Sequence, residues 1–433
     1  MESVWLKSSQ MPKFQRLDGN KKTDVLIIGG GMSGLLCAYL LKNMGVDCLV
    51  VEASEIGRGI TKNTTAKITL QHGLIYDKLI RRFGIEKAYL YLDSQKKAMT
   101  ELQRICGKIP CDYEIMDSFV YSLNDREKIE KELLALHHLG ERGEFSLAPR
   151  LPFSVAGAVR VKNQAQFHPL KFLSALAKDL PIVENTRVIK INSRSAITDR
   201  GEIRFQKAIV ATHFPILNKF GAYFLKLYQH RSYVLALSGA ENLEGMYVDE
   251  KKTGLSFRNY KDLLFIGGGD HRTGKNGGNF RELENVSGRF YPEAKISYRW
   301  ATQDCMSLDE VPYIGPYSPQ TPNLFVATGF NKWGMTNSMV SAIILSDLVQ
   351  GRANDYAPVY SPSRSILFPQ LALNALESTV GLLTPTAPRC PHLGCALKYN
   401  RAEHSWDCPC HGSRFSEEGD LIDNPSIKDL NKK

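Results

Sequence analysis

Short apolar runs alternate with polar and glycine-rich stretches at the beginning of the chain. Residues 23–28 (TDVLII) form a strand-sized apolar run that leads directly into glycines. Residues 35–43 (LLCAYLLKN) repeat their apolar positions at helical spacing, and Gly45 follows where a helix end favours glycine. Residues 47–51 form a second strand-sized run. This order predicts the first strand–helix–strand unit of an α/β domain.

Two longer stretches further along the chain predict helices. Residues 336–349 (TNSMVSAIILSDLV) are apolar on one side and small on the other, which is typical of a buried helix. Residues 367–383 (LFPQLALNALESTVGLL) predict a second helix, and two prolines follow it. Short hairpins are predicted near residues 406–407 and 416–422, so the end of the chain is expected to be β-structure.

The composition is that of a globular protein, with 43% hydrophobic and 23% charged residues. A chain of 433 residues is long enough for roughly two to three domains. No uninterrupted apolar run reaches the roughly 18 residues that a membrane-spanning helix needs, and the first residues do not resemble a signal peptide. We therefore expect a cytoplasmic protein without a transmembrane segment.

The net charge is +10, and the lysines and arginines are scattered along the chain. No basic block with interleaved aromatic residues is present, so nucleic acid is not an expected partner. The simplest interpretation is a solvated basic surface. The alternative is attraction to an acidic redox partner or an anionic membrane surface, because charge steers encounter.

The glycines after the first predicted strand, Gly29, Gly31 and Gly34, have the spacing of a dinucleotide-binding fingerprint. The first permits a tight turn, the second lets the backbone approach a pyrophosphate, and the third lets helix and strand pack closely. The helix N-terminus then offers free N–H groups to the phosphates. Glu52 ends the second strand, where an acid accepts hydrogen bonds from ribose hydroxyls and disfavours NADP.

Further motifs distinguish FAD from NAD. They are residues 57–61 (GRGIT), 64–67 (TTAK), 165–169 (AQFHP), 209–212 (IVAT), 311–315 (VPYIG), 327–330 (ATGF) and 333–336 (WGMT). Together they resemble the D-amino-acid-oxidase-like (DAO) superfamily of FAD-dependent oxidoreductases over about residues 20–350. The chain departs from the family at His213, which stands where the family has the glycine of an Ala-Thr-Gly turn.

The resemblance implies that FAD is the cofactor and that the helix after Trp333 directs its N-terminus at the flavin pyrimidine. A helix dipole there stabilises the negative charge of reduced flavin. His72 is a further candidate flavin neighbour. The fingerprint and the resemblance together imply the FAD contacts Gly29, Gly31, Met32, Ser33, Gly34, Glu52, Ala53, Arg58, Gly59, Thr64, Thr65, Lys67, Val188, Thr212, Gly329, Phe330, Trp333, Gly334, Met335 and Thr336.

The C-terminal region carries a second redox motif. Cys390 and His392 are followed, after fifteen residues, by Cys408 and His411. This is the ligand pattern of a Rieske [2Fe–2S] centre, in which two thiolates hold one iron and two imidazoles the other. Structural zinc is the alternative, because two cysteines and two histidines also suit that metal. The Cys-x-His order and the tight turns of the His-Leu-Gly and Cys-His-Gly segments favour the cluster.

The resemblance to Rieske proteins implies three more features of this region. Cys395 and Cys410 stand where one class of these proteins joins its cluster loops by a disulfide. Ser413 is present as a hydrogen-bond donor to cluster sulfur, but Phe415 replaces the tyrosine that supplies a second donor, which predicts a lower reduction potential. A Rieske domain usually begins with a three-stranded base, whereas residues 361–389 predict mostly helix.

We therefore predict an α/β FAD-binding Rossmann-like domain, an α+β substrate domain and a small, truncated all-β Rieske module. The predicted divisions are residues 1–75, 160–215 and 300–360 for the discontinuous FAD-binding domain, 76–159 and 216–299 for the substrate-binding domain, 361–388 for a helical linker and 389–433 for the Rieske [2Fe–2S] module.

The substrate pocket is expected over the flavin, between the first two domains. Arg231, His271, Arg272 and Lys332 are the candidate catalytic residues, because a buried cation can bind a substrate carboxylate. The predicted function is FAD-dependent oxidation of a small amine or amino acid, with electrons leaving through the cluster to a redox partner. A redox-sensing or electron-transfer flavoprotein without an organic substrate is the first alternative, and a binding module with zinc is the second.

Overall fold

The computed structural model describes residues 2–217, 220–275, 279–385 and 388–430. The helices are α1 (Val4–Lys7), α2 (Met32–Asn43), α3 (Tyr76–Phe83), α4 (Ile85–Cys106), α5 (Arg126–His138), α6 (Pro169–Ala177), α7 (Tyr223–Lys226), α8 (Asn279–Phe290), α9 (Gly334–Leu348), α10 (Ala357–Tyr360) and α11 (Pro369–Leu383). The strands are β1 (Lys21–Ile28), β2 (Cys48–Val51), β3 (Lys67–Ile68), β4 (Glu114–Ser122), β5 (Glu144–Ser146), β6 (Gly157–Gln166), β7 (Ile182–Val183), β8 (Val188–Ile191), β9 (Ser195–Thr198), β10 (Glu202–Val210), β11 (Leu227–Ser238), β12 (Met246–Asp249), β13 (Ser256–Tyr260), β14 (Leu263–Arg272), β15 (Lys295–Ser307), β16 (Tyr313–Pro316), β17 (Leu324–Thr328), β18 (Lys398–Asn400), β19 (Ser405–Asp407), β20 (Arg414–Ser416) and β21 (Leu421–Asp423).

The first sheet is the α/β domain that the opening pattern predicts. Its strands lie in the order β16-β17-β10-β1-β2-β7, and β17, β10, β1, β2 and β7 run parallel. The central strand β1 is apolar without alternation because both of its faces are buried. Val25 and Ile27 pack into one core under α2 and α9, whereas Leu26 and Ile28 pack into a second core on the other face. The predicted strand–helix–strand unit is confirmed.

The second sheet has the strand order β15-β11-β14-β13-β12-β4-β6-β3, with β5 paired to β6. Its pairs are antiparallel except for β12 with β4. This sheet and helices α3, α4, α5 and α8 form the α+β part of the molecule. The predicted divisions at 159/160 and 299/300 fall inside β6 and β15, and the bounds of the domains stay a prediction.

The C-terminal module is a four-stranded antiparallel sheet in the order β18-β19-β20-β21. Helix α11 precedes it, as the sequence predicts. Within the described part of residues 361–397 there is no strand longer than the single bridge between Arg389 and Ala396. Helix α11 packs on the module, because Gly381 brings its backbone against Cys395 and Cys410. Among the described residues, no helix combines the length and the apolar character needed to cross a bilayer.

Candidate redox sites

A cavity of about 630 Å³ opens at the carboxyl ends of β1, β2, β10 and β17. Ligands bind at this edge of open α/β sheets. Seventeen of the twenty predicted cofactor contacts line it, and the other three, Gly34, Gly329 and Thr336, do not. The lining contacts are Gly29, Gly31, Met32, Ser33, Glu52, Ala53, Arg58, Gly59, Thr64, Thr65, Lys67, Val188, Thr212, Phe330, Trp333, Gly334 and Met335. Motifs far apart in the sequence therefore converge on one binding site.

The glycine fingerprint forms a tight turn that leaves backbone facing the cavity. Gly29 has a φ of +113°, and a Cβ there would lie 2.5 Å from the carbonyl oxygen of Ala211. A Cβ on Gly34 would lie 1.9 Å from the carbonyl oxygen of Gly29. Neither position accepts a larger residue, so strand β1 and helix α2 pack closely only with glycine at both. The turn fits a pyrophosphate held by N–H groups at the start of α2.

Glu52 lies at the end of β2 and lines the same cavity. Its carboxylate accepts hydrogen bonds from the N–H of Gly30 (2.7 Å) and of Ser54 (2.9 Å). Burial raises the pKa of Glu52, and the hydrogen bonds from Gly30 and Ser54 oppose that rise. Each carboxylate oxygen keeps a second lone pair, which suits it to the ribose hydroxyls of a dinucleotide.

The far end of the cavity is where α9 begins. Trp333, Gly334 and Met335 line it, and the ring of His72 stacks on Trp333 at 5.1 Å between centroids. His72 also lies 3.0 Å from the hydroxyl of Thr336 and 2.6 Å from that of Tyr91. Burial lowers the pKa of His72 to about 3, so its imidazole is neutral. The helix N-terminus and neutral His72 fit a flavin ring that gains negative charge.

Above that end, β14 and β15 carry two carboxylates, Asp270 and Asp304, that sequence reasoning missed, close to the predicted candidate Lys332. The Lys332 ammonium binds the Asp270 carboxylate and donates to the Lys252 carbonyl at 2.9 Å. Asp304 accepts a hydrogen bond from the Ser232 hydroxyl at 3.2 Å, and burial raises its pKa to about 6. An acid inside the apolar strand sequence ATQDCM was the available signal for Asp304.

A second carboxylate of the cavity is held in the charged state. Glu310 lies 3.0 Å from the Lys78 ammonium and 2.7 Å from that of Lys252. Burial opposes its charge, but Lys252 and Lys78 outweigh burial and lower the pKa of Glu310 to about 2. The cavity therefore contains one carboxylate that remains ionised and another, Asp304, whose protonation changes near neutral pH.

Three of the four predicted catalytic residues do not line the cavity. The guanidinium of Arg231 is 2% exposed and binds the carboxylate of Glu403 in the C-terminal module. Arg272 donates to the carbonyl oxygens of Pro409 (3.1 Å) and Cys410 (3.2 Å). The ring of His271 stacks on Tyr233, which lines the cavity, but His271 itself is not a lining residue. Because both guanidinium groups hold the C-terminal module, neither is available to a substrate carboxylate, and this corrects the sequence-based expectation. Lys332 lines the cavity and stays a candidate.

The second site is formed by two turns of the C-terminal module. Cys390 and Cys408 are buried and reduced, and the rings of His392 and His411 lie 4.9 Å apart. A disulfide joins the two turns through Cys395 and Cys410, as the resemblance implies. All four predicted ligands therefore meet in one place, between the ends of β18–β20 and the rest of the molecule.

The groups around the ligands fit a metal–sulfur centre. Among the described residues, neither ring nitrogen of buried His411 has a hydrogen-bond partner. Its pKa is lowered to about 3 by burial, which leaves the imidazole neutral as a metal ligand must be. A hydrogen bond with Cys408 lowers the pKa of Cys390, and the N–H of His392 and the hydroxyl of Ser413 act in the same direction. Such donors are what an anionic cluster requires.

The C-terminal module packs closely against the second sheet and the loop after β10. The ring of Phe214 lies 6.3 Å from His392 and 6.2 Å from His411, both edge-on. A Cβ on Gly412 would lie 2.3 Å from the side chain of Gln229, so the backbone of Gly412 lies directly against that side chain. Gln303 donates to the carbonyl of Gly412 at 2.9 Å. The second cluster turn is therefore seated directly on β11 and β15.

Comparison with known proteins agrees with both sites. Residues 24–348 match the FAD-dependent oxidoreductase (DAO) family, and residues 373–432 match the Rieske [2Fe–2S] domain. YhfW of Bacillus subtilis (strain 168), a protein named for a Rieske 2Fe–2S iron–sulfur centre, is 34% identical over 492 aligned residues that cover 99% of this chain and 97% of YhfW. The γ-glutamylputrescine oxidoreductase of Escherichia coli (strain K12) is 23% identical, covering 79% of this chain and 87% of that protein. Among solved structures, glycine oxidase from Geobacillus kaustophilus has a TM-score of 0.66 at 19% identity, over 80% of this chain and 100% of the oxidase.

The fold and the two sites define an oxidoreductase with two different redox cofactors. The chain belongs to the DAO family of FAD-dependent oxidoreductases and carries a C-terminal Rieske [2Fe–2S] domain. The cofactors are FAD in the cavity and a [2Fe–2S] cluster at the C-terminal site, which removes the zinc alternative. Cys390, His392, Cys408 and His411 stay the predicted ligands of that cluster.

Proposed function

We propose that the chain oxidises an amine or amino acid at its C–N bond and passes the electrons through the cluster to a separate acceptor. When bound, FAD accepts a hydride from the carbon beside the substrate nitrogen, and the cluster transfers electrons one at a time. The oxidised product is an imine, which water hydrolyses. The chain's own residues bind the donor, take its proton and separate it from the cluster.

One observation carries the proposal: the two sites lie on opposite faces of the same strands. Ser232 and Asp304 of β11 and β15 line the cavity, whereas Arg231 and Gln303, their neighbours in sequence, bind the C-terminal module. Side chains alternate between the two faces of a strand, so a single layer of β-sheet separates the sites. A sheet of one layer is a short and rigid separation for electron transfer.

The substrate end offers Asp304 as a partner for an ammonium group, whereas Lys78, Lys252 and Lys332 there are paired with carboxylates. Among the described lining residues the arginines are Arg58 and Arg187, which belong to the loops of the FAD-binding sheet. The strands above the flavin end offer Asp304, whereas Asp270 is paired with Lys332. A carboxylate with a pKa of about 6 can bind an ammonium and then accept its proton at Oδ, which leaves the neutral amine that loses hydride.

The names of related proteins agree with this donor class. One relative is a γ-glutamylputrescine oxidoreductase and one structural neighbour is a glycine oxidase, so both act on nitrogen compounds by name. Lys332, beside Asp270, is the remaining candidate for binding a carboxylate if the donor is an amino acid. The redox partner and the cytoplasmic location expected from the sequence stay predictions.

The experiment is a visible and EPR spectrum of protein purified without air, before and after addition of candidate amines. We expect bleaching of the flavin followed by the EPR signal of a reduced Rieske cluster. Flavin that bleaches with dithionite but with none of a panel of mono-, di- and amino-acid amines would favour the redox-sensing alternative. Zinc without acid-labile sulfide would contradict the cluster.

A further inference from the structure

The last hairpin of the C-terminal module reaches the dinucleotide cavity. We call residues 421–427, which include β21, the tail wall. Its cavity-lining members are Leu421, Ile422, Asp423, Asn424, Ser426 and Ile427. We propose that the tail wall is part of the FAD-binding site, so that the cofactor is held between the Rossmann-like domain and the Rieske module.

The tail wall is attached to the sheet edge where the fingerprint lies. The side-chain N–H₂ of Asn424 donates to the carbonyl oxygens of Thr212 (2.5 Å) and Phe214 (2.8 Å). Thr212 follows β10 and lines the cavity, and Phe214 contacts both cluster histidines. Asn424 therefore attaches the tail wall to the loop that contains Thr212 and Phe214.

The tail wall is also attached to the core of its own module. The N–H of Ser426 donates to the hydroxyl of Ser413 at 2.9 Å, and Ser413 lies beside Cys390. The guanidinium of Arg414 binds Asp423 at 3.1 Å. With both attachments in place, the wall is ordered before any ligand arrives, which lowers the entropic cost of binding.

The carboxylate of the wall acts on the diphosphate side of the cavity through a neighbouring lysine. Asp423 is near Lys62 and His213, which line the same cavity. Burial lowers the pKa of Lys62, and the Asp423 carboxylate opposes that shift and favours the ammonium form. A charged lysine in the lining of this cavity is suited to phosphate oxygens.

The test is the affinity of the full-length, cluster-containing protein for FAD. Deflavinated protein is titrated with FAD, and binding is followed by the quenching of flavin fluorescence. Asn424→Ala removes two hydrogen bonds of the wall, and we expect affinity to fall by about tenfold. Glu418→Ala, an exposed change on the same hairpin outside the cavity, is the matched control and should bind FAD as the parent does.

Iron and acid-labile sulfide are measured on each variant, so that loss of the module is recognised. If Asn424→Ala loses its cluster, Ile427→Ala provides the test instead. It removes apolar side-chain surface from the tail wall and leaves both hydrogen bonds of Asn424 in place. For Ile427→Ala we expect FAD binding to be about two- to fivefold weaker. Parent-like affinity in the cluster-containing variant would overturn the proposal. No amine or electron acceptor enters the titration, so its outcome is independent of the proposed substrate.

Discussion

The two cofactor sites of this chain are assembled in opposite ways. The four cluster ligands come from 22 consecutive residues, in two turns that a disulfide joins. The lining of the FAD cavity instead runs from Ile28 to Ile427 and draws on both large sheets and the C-terminal module. The cluster site is therefore local in sequence, whereas the cavity exists only when all parts of the molecule are docked.

The difference explains which parts of the protein tolerate change. A local site depends on the geometry of its own turns, and its defects should stay within the module. A site shared by several segments depends on the contacts between them, so a change at one contact should reach both cofactors.

The largest effect is expected at the substrate end, for Asp304→Asn. The amide keeps the shape but cannot accept a proton from the substrate ammonium, so flavin reduction by an amine should slow by on the order of 100-fold or more. In the parent the rate should rise as pH increases through about 6, where Asp304 loses its proton, and this limb should be absent from the variant. Anaerobic stopped-flow absorbance at several pH values measures both.

The control for that substitution is Asp262→Asn, in the exposed turn between β13 and β14. It changes the same charge and should leave the rate and its pH profile unaltered. Both variants should keep parent-like FAD content and cluster content, because Asp304 binds neither the fingerprint nor the module. A variant that retained the rising limb would remove Asp304 from the proton-transfer step.

A smaller effect on both sites is expected for Gly412→Ala at the contact between them. The added Cβ would lie 2.3 Å from Gln229, and the residue has a φ of +85°. Overlap of this kind costs roughly 1–3 kcal/mol, so the module should separate slightly from β11 and the transfer of electrons from flavin to cluster should slow by about tenfold. The thermal midpoint should fall as well.

Gly394→Ala distinguishes the cost of a positive φ from the cost of the overlap with Gln229. Gly394 has a similar φ of +81°, but a Cβ there meets its nearest neighbour, Leu382, only at 3.9 Å. It carries the same backbone cost without the overlap, so its midpoint should fall less and its transfer rate should stay near that of the parent. Equal slowing in both variants would mean that the contact with Gln229 does not set the rate.

The same contrast explains what could be predicted from the sequence. The strand–helix–strand unit, the fingerprint and the two cluster turns were predicted because each is a local pattern with fixed spacing. Arg231 was assigned to the substrate, although it binds Glu403 across an interface. The face of β11 that carries Arg231 cannot be read from a strand buried on both sides, because no polar alternation marks it.

The missing base of the module illustrates a second limit. Its absence and the helix that replaces it were visible in residues 367–383. That α11 would lie on the disulfide through Gly381 could not be deduced, because the contact joins segments whose docking angle depends on the whole fold. Lys332 was a candidate from the sequence, but its carboxylate neighbours Asp270 and Asp304 were missed for the same reason, since strands β14, β15 and the loop after β17 meet only in three dimensions.

The smallest effect is expected inside the cluster module, for Phe415→Tyr. Phe415 is fully buried with Cys390 and Cys408, and it supplies no hydrogen bond. A hydroxyl that donates to cluster sulfur stabilises the reduced, more negative state. One hydrogen bond of about 0.5–1.5 kcal/mol corresponds to a rise of roughly 20–60 mV for a one-electron couple.

Phe415→Leu should leave the potential near that of the parent, and a redox titration followed by EPR measures all three proteins. Because the effect stays inside the module, FAD affinity should be the same in each; a change in affinity would show that the cluster site is less local than its 22 residues indicate.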